Sequence, residues 1–329
     1  MAVGRYLVNR LIYMVIVCFF VSILTFVVIQ LPPGDYLTSY VMSLEASGRQ
    51  ISQDQLEALR VRYGLDQPMH VQYWKWITNF IRGDMGHSFE WNQPVNTLVW
   101  ERLGLTAVIS LSSIIFTWVV ALPIGIISAL NKHSFLDYCT TFISFLGLAI
   151  PNFMLALILM YIGFRYLGVH VGGLFSPEYQ HAAWSFAKFK DLLSHLWVPT
   201  IVLGTGGTAG MVRIMRANLL DELDKLYVTA ATARGLSPLR VILKYPVRIA
   251  INPFISTVGW ILPEIISGAT ITSIVLNLPT TGPILLGALR TQDMYLAGSF
   301  LMLLTILTVI GTLISDILLA VVDPRIRFN

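Results

Sequence analysis

Stretches without Asp, Glu, Lys or Arg punctuate the chain at residues 11–34, 103–131, 138–164, 192–212, 249–263, 265–289 and 294–315. A helix needs about 20 apolar residues to cross a hydrocarbon layer of roughly 30 Å. The pattern predicts six spans, at about 11–31, 105–130, 139–165, 198–217, 253–276 and 297–321, with Glu264 interrupting the fifth. The first run is too long for the apolar core of a signal peptide, and no A-x-A site follows it. It reads as an uncleaved first helix.

Two connections carry structure of their own. In the loop 32–104, Ser52-Gln53-Asp54-Gln55 has the form of a capping box ahead of Leu56 and Leu59 at helical spacing. Pro68 suits the first turn of a second helix bearing Val71, Trp74, Ile77 and Ile81, with Gly83 as its stop. Tyr73, Trp74, Trp76 and Phe80 suit that helix to the headgroup level of a membrane. The loop is either a small cap packed on the spans or a docking surface for an outside partner.

In the loop 218–252, Asp224 is expected to cap a short helix from Lys225 to Arg234. Gly235 follows as its left-handed stop, and Ser237-Pro238 restarts the chain as N-cap and N1. A helix so short, and built of small residues, is unstable alone in water. It docks either on the chain's own spans or in a cleft of a cytoplasmic partner.

Composition agrees with the spans. Hydrophobic residues make up 55% of the 329 positions and charged residues 12%, about half the share of a soluble domain. Mean hydropathy is +0.70. These values exclude a disordered chain and argue against a water-soluble globule. The net charge of +4 is no argument for nucleic acid, because membrane proteins gather basic residues on one side. Residues 1–10, 131–138, 216–252 and 323–329 hold 11 Lys and Arg in 62 positions, against 10 in 127 for 32–104, 165–197 and 276–296. The denser side, which includes both termini, is therefore assigned to the cytoplasm. Cys18 and Cys139 fall in apolar stretches and read as packing residues rather than a disulfide.

No G-x-x-x-x-G-K-[ST] run occurs, so the chain has no P-loop for ATP. The glycine-rich run from Gly204 to Gly210 lies in a span, where small residues let helices approach closely. Neither H-E-x-x-H nor a nucleophile elbow is present, and the six His lack ligand spacing. No catalytic residue, metal ligand or cofactor site is assigned.

An ordered set of motifs runs through nearly the whole length. It comprises Pro33-Gly34-Asp35, Tyr63-Gly64-Leu65-Asp66-Gln67-Pro68, Gly83-Asp84-Met85-Gly86-His87-Ser88 and Glu101-Arg102-Leu103. It continues with Tyr227-Val228 through Ala233-Arg234-Gly235-Leu236-Ser237 and ends with Asp323-Pro324-Arg325-Ile326-Arg327. In this set the chain resembles the membrane-spanning permease subunits of the dipeptide, oligopeptide and nickel class of ABC importers.

The resemblance implies an all-α membrane protein with six transmembrane helices of the type I ABC importer permease architecture. It would form a single permease domain over 1–329 in a bacterial inner membrane, with both termini cytoplasmic. Loop 32–104 would be an external helical loop, and 218–252 a cytoplasmic coupling loop. Implied partners are a second homologous permease, two ATPase subunits that bind ATP and Mg, an external substrate-binding protein and the lipid bilayer. The coupling helix would engage the ATPase through Tyr227, Thr229, Ala230, Ala231, Arg234 and Gly235.

Three features depart from the family pattern. Thr229 replaces an acid of the coupling motif, and Tyr245-Pro246-Val247-Arg248 replaces its usual ending. Pro283 stands where a basic residue is common, and Glu264 where glycine is common. An acid at mid-membrane costs about 2.5–3.5 kcal/mol on insertion scales. Glu264, with Ser267 and Gly268 on the same helix face, is therefore expected either to line the translocation path or to make a structural bond. Peptide cargo is implied, with oligosaccharide or opine-like cargo as the alternative. The rival class is a self-contained channel or ion-coupled transporter using Glu264.

Overall fold

Apolar runs broken by Pro, Gly and capping Ser fold as successive helices. The computed structural model describes residues 2–31, 36–46, 52–168, 172–180, 182–256 and 269–322. Its helices are α1 (Ala2–Gln30), α2 (Tyr36–Ala46), α3 (Gln53–Tyr63), α4 (Met69–Ile81), α5 (Val95–Leu130), α6 (Phe135–Ala149) and α7 (Asn152–Ile162). After them come α8 (Phe186–Leu223), α9 (Leu226–Ala233), α10 (Pro238–Lys244), α11 (Pro246–Ala250), α12 (Thr270–Val275), α13 (Thr281–Arg290) and α14 (Met294–Val322). Among the described residues the only extended pairing is an isolated bridge between His87 and Pro94.

Among the described residues three helices are long and apolar enough to cross a membrane: Arg10–Gln30 of α1, the whole of α5, and Met294–Ile317 of α14. The run expected to span at 139–165 is bent in its middle, as a broken span or a re-entrant segment would be. Its two halves, Phe135–Ala149 and Asn152–Tyr166, meet at 98°. Pro151 has no N–H to continue the helix and disfavours helical geometry at the residue before it; Ile150 is extended (φ −85°, ψ 117°). Hydropathy alone does not register this break. α8 outruns its predicted span of 198–217 at both ends. Ser185 caps its start by accepting the Lys188 amide at 3.2 Å, and its polar ends remain helical. Half of the predicted fifth span, 257–268, lies outside the described residues. Helix α2 adds to the helices expected in 32–104, and α13 lies in the loop 276–296, where none was expected.

The chain divides into two compact units, Met1–Thr106 with Ile265–Thr270 and Thr280–Ile310, and Ala107–Glu264 with Ile271–Pro279 and Gly311–Asn329. In the first, the Ser52–Gln55 capping box forms as expected, and Leu56 and Leu59 of α3 pack on the buried cluster of Tyr36, Leu37 and Phe89. α4 begins one residue after Pro68. Its inner face differs from the expected one. Trp76 and Ile77 are buried, whereas Trp74 and Ile81 are exposed. Trp76 lies against Gly298 of α14, where an added Cβ would come within 2.9 Å of the indole.

Asp293 organises the start of α14 in this unit. Fully buried, it accepts the Ser88 hydroxyl at 2.5 Å, the Phe89 amide at 2.8 Å and the Glu90 amide at 3.2 Å. Its second oxygen caps α14 through the Leu296 amide at 3.2 Å. Burial pushes its carboxyl above the ordinary carboxylate value, and these hydrogen bonds pull against that shift.

In the second unit the glycine-rich run of α8 does serve close packing. A Cβ at Gly204 would stand 2.5 Å from the Phe116 ring, and one at Gly207 would stand 3.4 Å from Thr117; Gly210 faces open space. The Thr117 hydroxyl donates to the Gly204 carbonyl at 3.2 Å, and Ser112 and Thr200 share a hydrogen bond of 2.7 Å, so α5 and α8 are joined by polar as well as steric contacts.

Asp293→Ala should leave the buried Ser88 hydroxyl and Phe89 amide without an acceptor, at about 1–3 kcal/mol for an unsatisfied group. The thermal unfolding midpoint in detergent should fall, and Asp293→Asn, which keeps one acceptor oxygen, should lose less. An alanine variant as stable as its parent would refute the role given to Asp293.

Candidate functional site

α9 sits between two breaks, as its sequence suggests, but its start is made differently. α8 continues to Leu223, and Asp224 closes that helix rather than capping α9. Lys225, extended at φ −78° and ψ 144°, takes the N-cap without a side-chain bond. At the other end the Gly235 amide donates to the Thr232 carbonyl at 3.0 Å, with φ at +76°. No heavy atom lies within 4 Å of an added Cβ there, so the demand for glycine is conformational: about 1–2 kcal/mol separates it from other L-residues. Ser237 is extended and Pro238 opens α10, as expected.

The helix has two unlike faces. Tyr227 and Val228 are half-buried and Ala231 is buried. On the opposite stripe, at positions i, i+3, i+4 and i+7, Leu226, Thr229, Ala230 and Ala233 are exposed, Leu226 to 86%. Thr232, Arg234 and Gly235 are exposed as well. Of the residues expected to meet an ATPase, Thr229, Ala230, Arg234 and Gly235 are therefore open. Ala231 is not, because it faces the chain's own interior. Tyr227 serves partly as an anchor, its hydroxyl donating to the Glu222 carboxylate on α8 at 2.5 Å and its ring lying 6.5 Å from that of Tyr245.

Behind α9 the loop is fastened to the bundle. α9 packs on α10, and α10 on α11. α11 contributes Val247 and Ala250 to a buried core with Ala121 and Ala129 of α5, Met211, Val212, Met215 and Leu219 of α8, and Phe254. Alongside this core, Arg216 of α8 grips Asp137 of α6 with both arms, Nε to Oδ1 and Nη2 to Oδ2, each at 2.7 Å. The Ser128 hydroxyl of α5 donates to the same carboxylate at 2.5 Å, and the His133 amide does so at 3.0 Å. One carboxylate thus joins three helices. Sequence reading counted Arg216 only as a topology charge. Its partner, 79 residues away, carries no local signal beyond lying next to a charge-free run.

Glu264, Ser267 and Gly268, expected on the translocation path, lie outside the described residues. Among the described residues no group of His, Cys, Asp and Glu is arranged to hold a metal ion.

Helical bundle, interhelical ion pair and a docked short helix with one open face describe a helical membrane protein. The family described as "Binding-protein-dependent transport system inner membrane component" matches residues 121–328, and its N-terminal counterpart matches residues 3–112. The chain is 34% identical over 326 residues to the oligopeptide transport system permease protein AppB of Bacillus subtilis (strain 168), covering 99% of this chain and 100% of that protein. It is 32% identical over 325 residues to a putative peptide permease protein of Brucella suis biovar 1 (98% and 99% covered). It is 26% identical over 329 residues to the nickel import system permease protein NikB of Staphylococcus aureus (strain USA300), with 100% and 94% covered. The chain belongs to the binding-protein-dependent transport system inner membrane component family. It is an all-helical, multi-pass membrane protein and a permease subunit of an ABC importer.

The two faces of α9 predict opposite outcomes for neighbouring substitutions. Ala230→Trp should leave the yield of folded membrane protein near normal and weaken association with the ATPase. Ala231→Trp has no room and should lower the yield of the chain expressed alone. Equal behaviour of the two variants in both assays would show that the faces are misassigned.

Proposed function

We propose that this chain forms half of the translocation path of an ATP-driven importer for peptides. It crosses the membrane six times and pairs with a second, homologous permease, while two ATPase subunits bind ATP and Mg and an external binding protein delivers cargo. The observation that carries the reading is the exposed stripe Leu226, Thr229, Ala230 and Ala233 on a helix whose other face is fixed to its own bundle. Small side chains let a partner backbone approach closely, and Leu226 supplies an apolar knob of the kind a cleft would bury. On ATP binding the ATPase pair closes and carries α9 with it. Because α9 is tied to α8 through Tyr227–Glu222, and α8 to α5 and α6 through Asp137, the bundle follows. Cargo then passes between the two permeases. The chain itself performs no covalent step.

Peptide cargo is favoured by the two full-length peptide permease relatives, at 34% and 32% identity, over the nickel permease at 26%. Oligosaccharide or opine-like cargo remains the alternative, to be decided by ligand-binding assays on the cognate external binding protein. Glu264, Ser267 and Gly268 are proposed for the path, with Glu264 touching polar or cationic cargo.

Tagged chain, co-expressed with its partners, should purify with ATPase subunits; a self-contained channel would purify alone. In a background with Cys18→Ala and Cys139→Ala, Glu45→Cys should react with an impermeant thiol reagent in cells with a permeabilised outer membrane, and Lys225→Cys should not. Both positions are exposed, so access to the reagent reports sidedness. The reverse pattern would overturn the orientation and with it the importer mechanism.

A further inference from the structure

The open face of α4 has no role in the mechanism above, and its position along α1 says what covers it. The Tyr73 hydroxyl shares a 2.8 Å hydrogen bond with Ser22 of α1. The Phe26 ring lies 5.5 Å from that of Tyr73 and 6.4 Å from that of Trp76. Gln30, at the end of α1, donates to Gln72 at 3.4 Å. The apolar run of α1, Arg10–Gln30, has 21 residues, about 31 Å of helix and close to the hydrocarbon thickness. Ser22 is eight residues from Gln30, so the Tyr73 hydroxyl is held about 12 Å below the Gln30 end, and the Phe26 contacts about 6 Å below it. Side chains of α4 are thus held beside the apolar run of α1, below its Gln30 end.

Its outward chemistry matches that placement. Trp74 and Ile81, on one face of the helix, are 60% and 76% exposed, and Met69 is open at its start. His70, Lys75 and Arg82 are exposed with them, and α4 contains no acidic residue. Leu24, Val27 and Val28 of α1, in the turns that carry the Ser22 and Phe26 contacts, are exposed too. Trp at the boundary with basic side chains reaching outward is the composition of an interfacial helix.

We propose that α4 is an in-plane membrane helix. Its exposed face inserts into the leaflet at the Gln30 end of α1, with Trp74 and Ile81 at the boundary of acyl chains and headgroups. Lys75 and Arg82 extend to the phosphates of the lipids. The buried side, through Trp76 against Gly298, braces α1 and the start of α14 from within the bilayer.

Site-directed spin labelling of the full chain tests this. A single cysteine, Trp74→Cys in the Cys18→Ala, Cys139→Ala background, is labelled and reconstituted into vesicles of phosphatidylethanolamine and phosphatidylglycerol. Collision with oxygen, which concentrates in lipid, is compared with collision with a water-soluble nickel chelate. The label at 74 should favour oxygen several-fold, whereas a label at Asp54→Cys on the exposed surface of α3 should favour the chelate. Ile81→Cys provides a second probe should the tryptophan prove necessary for folding. Leu24→Cys on α1 reports the span itself and so separates failure of this proposal from failure of the membrane reading. Chelate access at 74 and 81 equal to that at 54 would show a water-facing surface for a soluble partner. Access to neither collider would show a surface covered by protein. Either result overturns the proposal.

Discussion

The Arg216–Asp137 ion pair is the contact on which the end of the second unit that carries α9 depends. Two charges withdrawn from water are costly, and a bidentate fork with further hydrogen bonds is the geometry that offsets the cost. Asp137 is 3% exposed and Arg216 28%, and Ser128 and the His133 amide occupy the remaining acceptor positions of the carboxylate. Removing one partner from such a pair typically costs about 3–5 kcal/mol, because the other charge is left uncompensated. Its consequence here is geometric. The ends of α5, α6 and α8 are held at one carboxylate, and α8 leads directly into the break before α9.

That anchorage explains how eight residues of small side chains can form a defined helix at all. α9 is too short to be stable alone. It borrows order from Tyr227 on Glu222, from Ala231 turned inward and from the α10–α11 segment seated on the Met215–Leu219–Phe254 core. The inward face uses these contacts, which leaves Leu226, Thr229, Ala230 and Ala233 open. The two expected docking partners, its own bundle and another protein, are therefore not exclusive; each is assigned a face.

Local signals in the sequence were legible where one residue dictates the backbone. Ser52 with Gln55, Gly235 and Ser237-Pro238 act within a few positions, and each takes its expected conformation. Pro151 is equally local, but a hydropathy run conceals it, and the run predicted as the third span bends there by 98°. Asp224 misled because the polar end of α8 stays helical to Leu223, about three turns beyond the charge-free run that ends at 212. The face of α9 was illegible, since Ala230 and Ala231 are chemically identical and only the surrounding fold tells them apart. Asp137 with Arg216, and Asp293 with Ser88, are separated by 79 and 205 residues, distances over which one sequence carries no pairing signal. The resemblance to importer permeases, in contrast, was readable from motifs spread along the chain, and family membership agrees with it.

The central claim, that the outward stripe of α9 seats on an ATPase subunit, is tested most directly by cross-linking in the assembled importer. Ala233→Cys, with Cys18 and Cys139 replaced by Ala, is paired in turn with single cysteines lining the cleft of the ATPase. The account predicts a disulfide-linked permease–ATPase product from positions 229 and 233 and none from the buried position 231. A complete, transport-active complex that gives no product from 229, 230 or 233 would contradict it.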